Sequence, residues 1–408
     1  MFIVGQALFE TGMANKIGSL VTRFAKTERQ CIIAVMLITG LMSGFLSNTG
    51  TAAVLIPVVI GIAASSDFSR GKLLMPLVFA AALGGNLSII GAPGNLIGTN
   101  ALNELGIETG FFEYIGVGLP MLVFGILYFA VFGYKLLPDN KDLVSADDDQ
   151  FAAKDFSGVP VWKQTASLVI LILSILAMIF EKQIGVKLHV SASVGAIILI
   201  LTGVISEKEA LRSIDLKTVF LFGGSLALAS ALETTGAGTL VADAIIHALG
   251  DTPSPFLLLL VIWIITCALT NFMSNTATTA LMVPIAVALA QGVGADPRAV
   301  VVATVIAGSC AYATPISMPA NTMVVGIGGY SFRDYVKAGL PLIGVPFVIC
   351  MVLLAMAQWS AFLSMETAPL LPLALIPVAS RASAAMAVLT LRPMRTSQYS
   401  AMERGGAP

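Results

Sequence analysis

Charge is what this sequence has least of. Of 408 residues only 22 are Lys or Arg and 23 are Asp or Glu, 11% in all, for a formal net charge of −1. Without a basic excess there is no stripe to neutralise phosphates, so a nucleic-acid partner is excluded. Histidine occurs twice, at His189 and His247, and the four cysteines include no CxxC pair. Neither a zinc site nor a disulfide framework is indicated. No nucleophile–base pair, metal cluster or phosphate-cradling loop is present, which argues against an enzyme and against a bound cofactor. What fills the chain is hydrocarbon: 57% of residues are hydrophobic and the mean hydropathy is +0.92. No soluble globular domain of this length has such a composition, so the reading is an all-α polytopic membrane protein with the lipid bilayer as its solvent.

Two short polar stretches interrupt the hydrocarbon. Ser47-Asn48-Thr49 follows the apolar run Cys31 to Leu46 and precedes Ala52 to Ala64; Ser274-Asn275-Thr276 follows Leu257 to Leu269 and precedes Ala277 to Ala290. Ser43 and Thr270 each lie one helical turn before the motif serine. A single Ser-Asn-Thr in a membrane helix is ordinarily interhelical glue. A duplicated one, at a depth where polar groups are costly, points to function.

In chain order, Phe2 to Leu8 is apolar but has neither a charged n-region nor a small-residue cleavage site, so it is no signal peptide. Met13 to Gln30 is amphipathic and basic, suited to the interface. The runs flanking Ser47-Asn48-Thr49 fall short of the about twenty residues a full span needs, and a re-entrant hairpin over 31–66 is expected. Leu73 to Leu102 contains Gly84-Gly85-Asn86 and Gly91-Ala92-Pro93-Gly94-Asn95, which predicts a helix broken over 73–102 with backbone groups turned to a cavity. Phe111 to Leu137 reads as a plain spanning helix, and 138–164 as a polar cytoplasmic linker. The second half has spans at Thr165 to Phe180, Leu188 to Ile205 and Val219 to Leu232, with an amphipathic segment from Ser206 to Lys217. A second hairpin over 255–291, a second broken helix over 299–328 and a last span from Leu340 to Trp359 follow. The tail, 360–408, is rich in proline, alanine and arginine and is expected to be poorly ordered.

An internal repeat ties these pieces together. Thr49 and Thr276 are 227 positions apart, Pro93-Gly94-Asn95 matches Pro319-Ala320-Asn321 at 226, and the Phe111 to Pro120 stretch matches Phe332 to Pro341 at 221. Glu10-Thr11-Gly12 likewise echoes Glu233-Thr234-Thr235-Gly236. The domains are therefore a first repeat over 1–137, the linker, and a second repeat with its preceding spans over 165–359. Lys16, Arg23, Lys26, Arg29, Arg70, Lys72, Lys135, Lys208, Arg212, Lys217, Arg333 and Lys337 collect on one face, which is cytoplasmic by the positive-inside rule. The same count brings the two hairpins in from opposite sides, an inverted repeat of the kind secondary transporters use.

In such folds the hairpin tips and broken helices converge near the midplane. Ser, Thr and Asn oxygens with unwound carbonyls are hard ligands suited to sodium, while helix N-termini after each tip present amide donors to an anion. Neither tip nor broken segment contains Asp, Glu, Lys, Arg or His, so neutral ligands and sodium are favoured over a proton relay.

The paired Ser-Asn-Thr hairpins and Pro-x-Asn breaks resemble the divalent anion:sodium symporter family of the ion-transporter superfamily, over Phe2 to about Trp359. The resemblance implies a bacterial inner-membrane permease that carries a small divalent anion, a dicarboxylate or sulfate, with sodium by elevator-type motion, and that forms a homodimer. It implies one sodium site at Ser43, Ser47, Asn48 and the Gly91 carbonyl region, and a second at Thr270, Ser274, Asn275 and the region of Ser317. Substrate would meet Asn48, Thr49, Asn275 and Thr276, with Pro93, Asn95, Pro319 and Asn321 in the loops. The family commonly has Thr-Pro-Pro-Asn in both loops; here Ala92 and Met318 precede the prolines, removing two hydroxyl contacts and broadening the expected substrate to a small oxyanion. The first half begins near the equivalent of Ser225, so one or two preceding scaffold helices are expected to be missing. A sodium/proton antiporter or arsenite-type permease of the same superfamily is the nearer alternative; a non-transporting membrane remnant is the farther one.

Overall fold

The computed structural model describes residues 1–19, 26–66, 68–140, 156, 158–214, 216, 219–220, 223–224, 227, 231, 234–250 and 254–363. Met1–Ala355 form one compact unit. Most of the expected span at Val219 to Leu232, most of the linker and nearly all of the tail lie outside the described residues.

The first repeat opens with α1 (Phe2–Glu10) and α2 (Met13–Gly18). The break between them falls at Gly12, whose φ of 75° is the left-handed region that glycine tolerates. Next come α3 (Glu28–Ser43), started by the Thr27 side chain accepting from the Gln30 amide, and α4 (Asn48–Ser66). α5 (Arg70–Gly84) runs into a single 3₁₀ turn, Gly85–Leu87, and the chain re-enters helix only at α6 (Pro93–Glu104), with proline at its first position. α7 (Ile115–Val131) closes the repeat. Between the repeats lie α8 (Val161–Ile179), the single turn α9 (Glu181–Ile184), α10 (Leu188–Leu201) and α11 (Glu207–Arg212).

The second repeat uses the same parts in the same order. α12 (Ala237–Leu249) begins at Gly236, φ 69°, as α2 begins at Gly12. The hairpin is α13 (Pro255–Thr270) and α14 (Asn275–Val293); the broken helix is α15 (Pro297–Gly308) and α16 (Pro319–Gly328); α17 (Phe332–Leu363) follows. α2 packs on α4 as α12 packs on α14, and α3 lies on α5 as α13 lies on α15. Among the described residues four helices are long and apolar enough to cross a membrane by length and composition: α4, α8, α14 and the Phe332–Leu354 part of α17.

Three expectations need correction. The second hairpin arms are 19 residues each, about 28 Å at 1.5 Å per residue; only the first arms, 16 residues each, fall clearly short of a span. The regular helix in the Phe111 to Leu137 stretch covers only Ile115–Val131, because Phe111 to Tyr114 are taken up in a turn against the broken helix. The last span starts not at Leu340 but at Phe332, eight residues earlier: Pro341 and Pro346 sit inside a continuous helix.

The two repeats interlock. Phe79 of α5 lies edge-on to Tyr312 and Tyr335, with ring centroids 5.4 and 6.0 Å away. The Tyr330 hydroxyl enters the α5 ladder, donating to the Gly71 carbonyl at 2.7 Å and accepting from the Met75 amide at 2.8 Å. These two groups are i and i+4 partners in the helix ladder, so one hydroxyl of the second repeat bridges a donor and an acceptor of the first. In the first turn of α5, Lys72 pairs with Glu28 at 3.3 Å and Asp139 at 2.5 Å. Burial alone would lower its pKa, but the hydrogen bonds and charges of Asp139 and Glu28 outweigh that and hold it above the ordinary lysine value.

Candidate functional site

The two hairpin tips are four-residue turns, 44–47 and 271–274, and each ends in a serine that starts the next helix. Ser47 Oγ accepts from the Gly50 amide at 3.1 Å and Ser274 Oγ from the Ala277 amide at 3.2 Å. The tip serines therefore cap α4 and α14, which turns Asn48 and Asn275 back toward the first arms and leaves Thr49 and Thr276 half-buried on the first turns.

In the first tip, Ser43 Oγ stands 2.7 Å from Asn48 Oδ1 and 2.7 Å from the Ala81 carbonyl oxygen. The same Asn48 amide atom lies 3.1 Å from the Gly91 carbonyl and 3.1 Å from the Ala81 carbonyl. Two orientations of this amide have opposite meanings. With nitrogen inward its two protons serve Ser43 Oγ and the Gly91 carbonyl while the Ser43 hydroxyl serves the Ala81 carbonyl, and every group is satisfied. With oxygen inward, four oxygens converge and the single Ser43 proton can serve only one acceptor, an arrangement that a cation would make favourable. Close backbone approach makes the cluster this tight: a Cβ at Gly91 would stand 2.4 Å from the Gly85 carbonyl oxygen, and one at Gly85 would meet Asn48 Oδ1 at 2.5 Å.

The second tip repeats the pattern. Thr270 Oγ1 stands 3.0 Å from Asn275 Oδ1 and 2.5 Å from the Gly308 carbonyl, and Gly308 is 227 positions beyond Ala81. Ser317 is buried nearby in the second break, where its Oγ stands 3.0 Å from the Thr314 carbonyl and 3.3 Å from that of Ala311.

The breaks are held open by side chains. Asn95 Nδ2 donates to the Gly85 and Ser88 carbonyls at 2.8 and 2.7 Å, and Asn321 Nδ2 to those of Ala311 and Thr314 at 2.8 and 3.2 Å. Both asparagines are fully buried, and both Oδ1 atoms lack a hydrogen-bond partner. Their main-chain oxygens accept from Tyr114 at 2.9 Å and Tyr335 at 2.8 Å. Ser88 and Thr314 tie each break to its tip by donating to the Gly44 and Asn271 carbonyls, both at 2.5 Å. Pro93 and Pro319 start α6 and α16; Pro93 is half-buried and Pro319 exposed.

Each hairpin's second arm crosses to the other repeat: α14 packs on α6, and α4 on α16. At the first crossing a Cβ on Gly94 would lie 2.9 Å from Thr279 Oγ1. Ser43, Asn48 and the Gly91 carbonyl are thus in one cluster, and Thr270 and Asn275 in its counterpart. Asn95 and Asn321 stand behind them as staples. The carbonyls of Ala81 and Gly308 are missing from a reading by side chain, because every residue carries one; the 227 offset between them was the available signal. Among the described residues no group of His, Cys, Asp and Glu could hold a metal ion, so any cation here is held by neutral oxygens.

Residues 1–307 match the citrate transporter family, CitMHS. The chain is 30% identical to an uncharacterised transporter of Haemophilus influenzae over 79% of this chain and 71% of that one. It is 27% identical to the sodium-dependent dicarboxylate transporter SdcS of Staphylococcus aureus over 83% of this chain and 71% of SdcS. In three dimensions it resembles the YdaH transporter of Alcanivorax borkumensis, with a TM-score of 0.61 at 16% identity over 88% of this chain and 84% of that one, a likeness of fold. The expected ion-transporter superfamily resemblance and the reading as a multi-pass membrane transporter rather than an enzyme are both borne out. The chain belongs to the citrate transporter family, CitMHS.

Proposed function

We propose that the protein is a sodium-coupled symporter of a small divalent or trivalent oxyanion, of the dicarboxylate and citrate class, working by elevator-type alternating access. The observation that carries the reading is the convergence of Ser43 Oγ, the Asn48 amide and the Ala81 and Gly91 carbonyls at one tip, with its counterpart at Thr270, Asn275 and Gly308. Four neutral oxygens suit a dehydrated monovalent cation, and unwound carbonyls beside helix ends are where secondary transporters hold one. In this reading sodium takes the place that the inward-turned Asn48 nitrogen otherwise occupies, so binding is an exchange of hydrogen bonds for coordination. Ser47, Ser274 and the Ser317 region complete the two ion sites.

The anion lies between the tips, met by Asn48, Thr49, Asn275 and Thr276 and by the first turns of α4 and α14, whose N-terminal amides favour negative charge. Pro93 and Pro319 shape its walls, while Asn95 and Asn321 set the cavity by stapling the breaks. SdcS is by name a sodium-dependent dicarboxylate transporter and aligns with most of this chain, which supports both the coupling ion and the substrate class. The repeats over 1–137 and 165–359 then insert in opposite senses about the linker.

Uptake of labelled succinate, citrate and sulfate into proteoliposomes, with and without an inward sodium gradient, tests the proposal. Sodium-driven accumulation of a carboxylate is expected. Uptake that ignores sodium but follows a proton gradient would overturn the coupling assignment and favour the antiporter-like relatives.

A further inference from the structure

Beside the first hairpin, one stripe of α8 lines two adjoining depressions. Val161 and Gln164 face a recess of about 450 Å³ of mixed lining, which Asn15 and Lys16 of α2 share. One to three turns further along, Leu168, Leu171, Ile172, Ile175 and Leu176 face a groove of about 350 Å³. Its opposite wall, from α1 to the first tip, includes Leu8, Ile17, Met42 and Phe45, and every residue lining it is apolar. Lys16 and Ile17 are consecutive and Gln164 and Leu168 are four apart, so the two depressions are neighbours along α2 and α8. From Gln164 to Leu176 is twelve residues, about 18 Å along the helix, comparable with one leaflet of a hydrocarbon core about 30 Å thick.

An apolar groove facing lipid would by itself mean only the ordinary annulus. The polar end is different. Gln164 is 4% exposed and its enclosed Oε1 has no hydrogen-bond partner, a costly state that a turn of the side chain toward a donor in the recess it lines would relieve. Lys16 is exposed beside it and has no acidic partner among the described residues. A cation at the mouth, a buried acceptor just inside and a hydrocarbon trough beyond match one amphiphile: a phosphate, a hydroxyl donor a few atoms away, and an acyl chain. The basic side chains place this end at the cytoplasmic leaflet, where anionic lipids attract such cations.

We propose that this site holds one phosphatidylglycerol molecule, its phosphate at Lys16, its headgroup glycerol hydroxyl on Gln164 Oε1 and one acyl chain along α8 against Met42 and Phe45. The site shares no residue with those assigned to the ions or the anion, though Met42 and Phe45 adjoin the first tip, and the proposal does not depend on what is transported.

The test uses the full chain, purified in detergent and depleted of lipid, then titrated with phosphatidylglycerol or with phosphatidylcholine of the same chains. Native mass spectrometry counts bound lipid, and thermal melting follows stabilisation. One saturable phosphatidylglycerol is expected, with phosphatidylcholine, which has no headgroup donor, bound more weakly. Lys16→Ala should weaken binding about fivefold, Gln164→Leu should remove the preference between the two lipids, and Ile172→Trp should block the groove. If Gln164→Leu does not fold, the other two variants decide, because both positions are exposed. Equal binding of the two lipids, or phosphatidylglycerol binding unchanged in Lys16→Ala and Ile172→Trp, would overturn the proposal and leave an ordinary annular contact.

Discussion

Thr270 offers a sharp test of the ion sites because the molecule contains its own control. Its hydroxyl stands 2.5 Å from the Gly308 carbonyl and 3.0 Å from Asn275 Oδ1, and the residue is fully buried. Thr270→Val keeps the shape and removes only the hydroxyl, so the Gly308 carbonyl loses its donor and the proposed ion site one oxygen. Leaving a buried polar group unsatisfied costs about 1–3 kcal/mol, and the same range in sodium binding is about 5- to 150-fold. The first repeat performs the same task with Ser43, so Thr270→Ser should stay within about twofold of the parent, under about 0.5 kcal/mol. The assay is the sodium dependence of carboxylate uptake into proteoliposomes, with the melting temperature measured in sodium and in choline. Sodium should stabilise the parent in proportion to ligand concentration over Kd, and Thr270→Val should lose most of that increment. A Thr270→Val protein with unchanged sodium half-activation and an unchanged sodium-dependent melting shift would refute the ligand assignment, whatever its overall stability.

Four further outcomes follow. Gly118→Ala and Gly339→Ala should each abolish folded yield in detergent, because the new Cβ would lie 2.0 Å from the Asn86 carbonyl oxygen and 1.9 Å from that of Tyr312, backbone atoms that cannot step aside; monodisperse, normally stable variants would contradict the close crossing. Tyr114→Phe and Tyr335→Phe remove the hydroxyls bonded to Asn95 O and Asn321 O, and each should cost about 1–2 kcal/mol of thermal stability. Sodium affinity should be flat from about pH 6 to 8, since neither tip nor broken segment carries a residue that titrates there; a tenfold change across that window in equilibrium sodium binding would point to a proton-coupled site. The raised Lys72 pKa means its ion pairs contribute fully below about pH 10.4, the ordinary lysine value, and that this contribution is lost as pH rises through the higher folded value. Lys72→Met should therefore resemble the parent at strongly alkaline pH and differ from it, modestly, at neutral pH.

Much of the architecture could be read from spacing alone. Hydropathy marks the helices, and the offsets of 226 and 227 pair Ser43 with Thr270, Asn48 with Asn275 and Asn95 with Asn321. Those pairs recur in the structure as matched hydrogen bonds. The lengths of the elements were less legible. Prolines at 57, 284, 341 and 346 sit inside continuous helices, because neighbouring helices in a packed bundle compensate for what a proline removes.

What the sequence determined by itself is the kind of molecule: too little charge and too much hydrocarbon for water, two polar interruptions that lipid would not tolerate without use, and a repeat that makes them partners. What only the tertiary structure decided is where each polar group points. Asn95 and Asn321 read as ligands by type, yet their amides close the broken helices, since carbonyls freed by a break must find a donor within the protein at that depth. The Ala81, Gly91 and Gly308 carbonyls have no side-chain signature, the Tyr330 hydroxyl enters a helix 255 residues away at Met75, and the Lys16–Gln164 recess joins residues 148 positions apart. Side-chain chemistry is written locally, but hydrogen-bond partners and cavities are set by which backbones approach, and that follows from the packing of the whole chain.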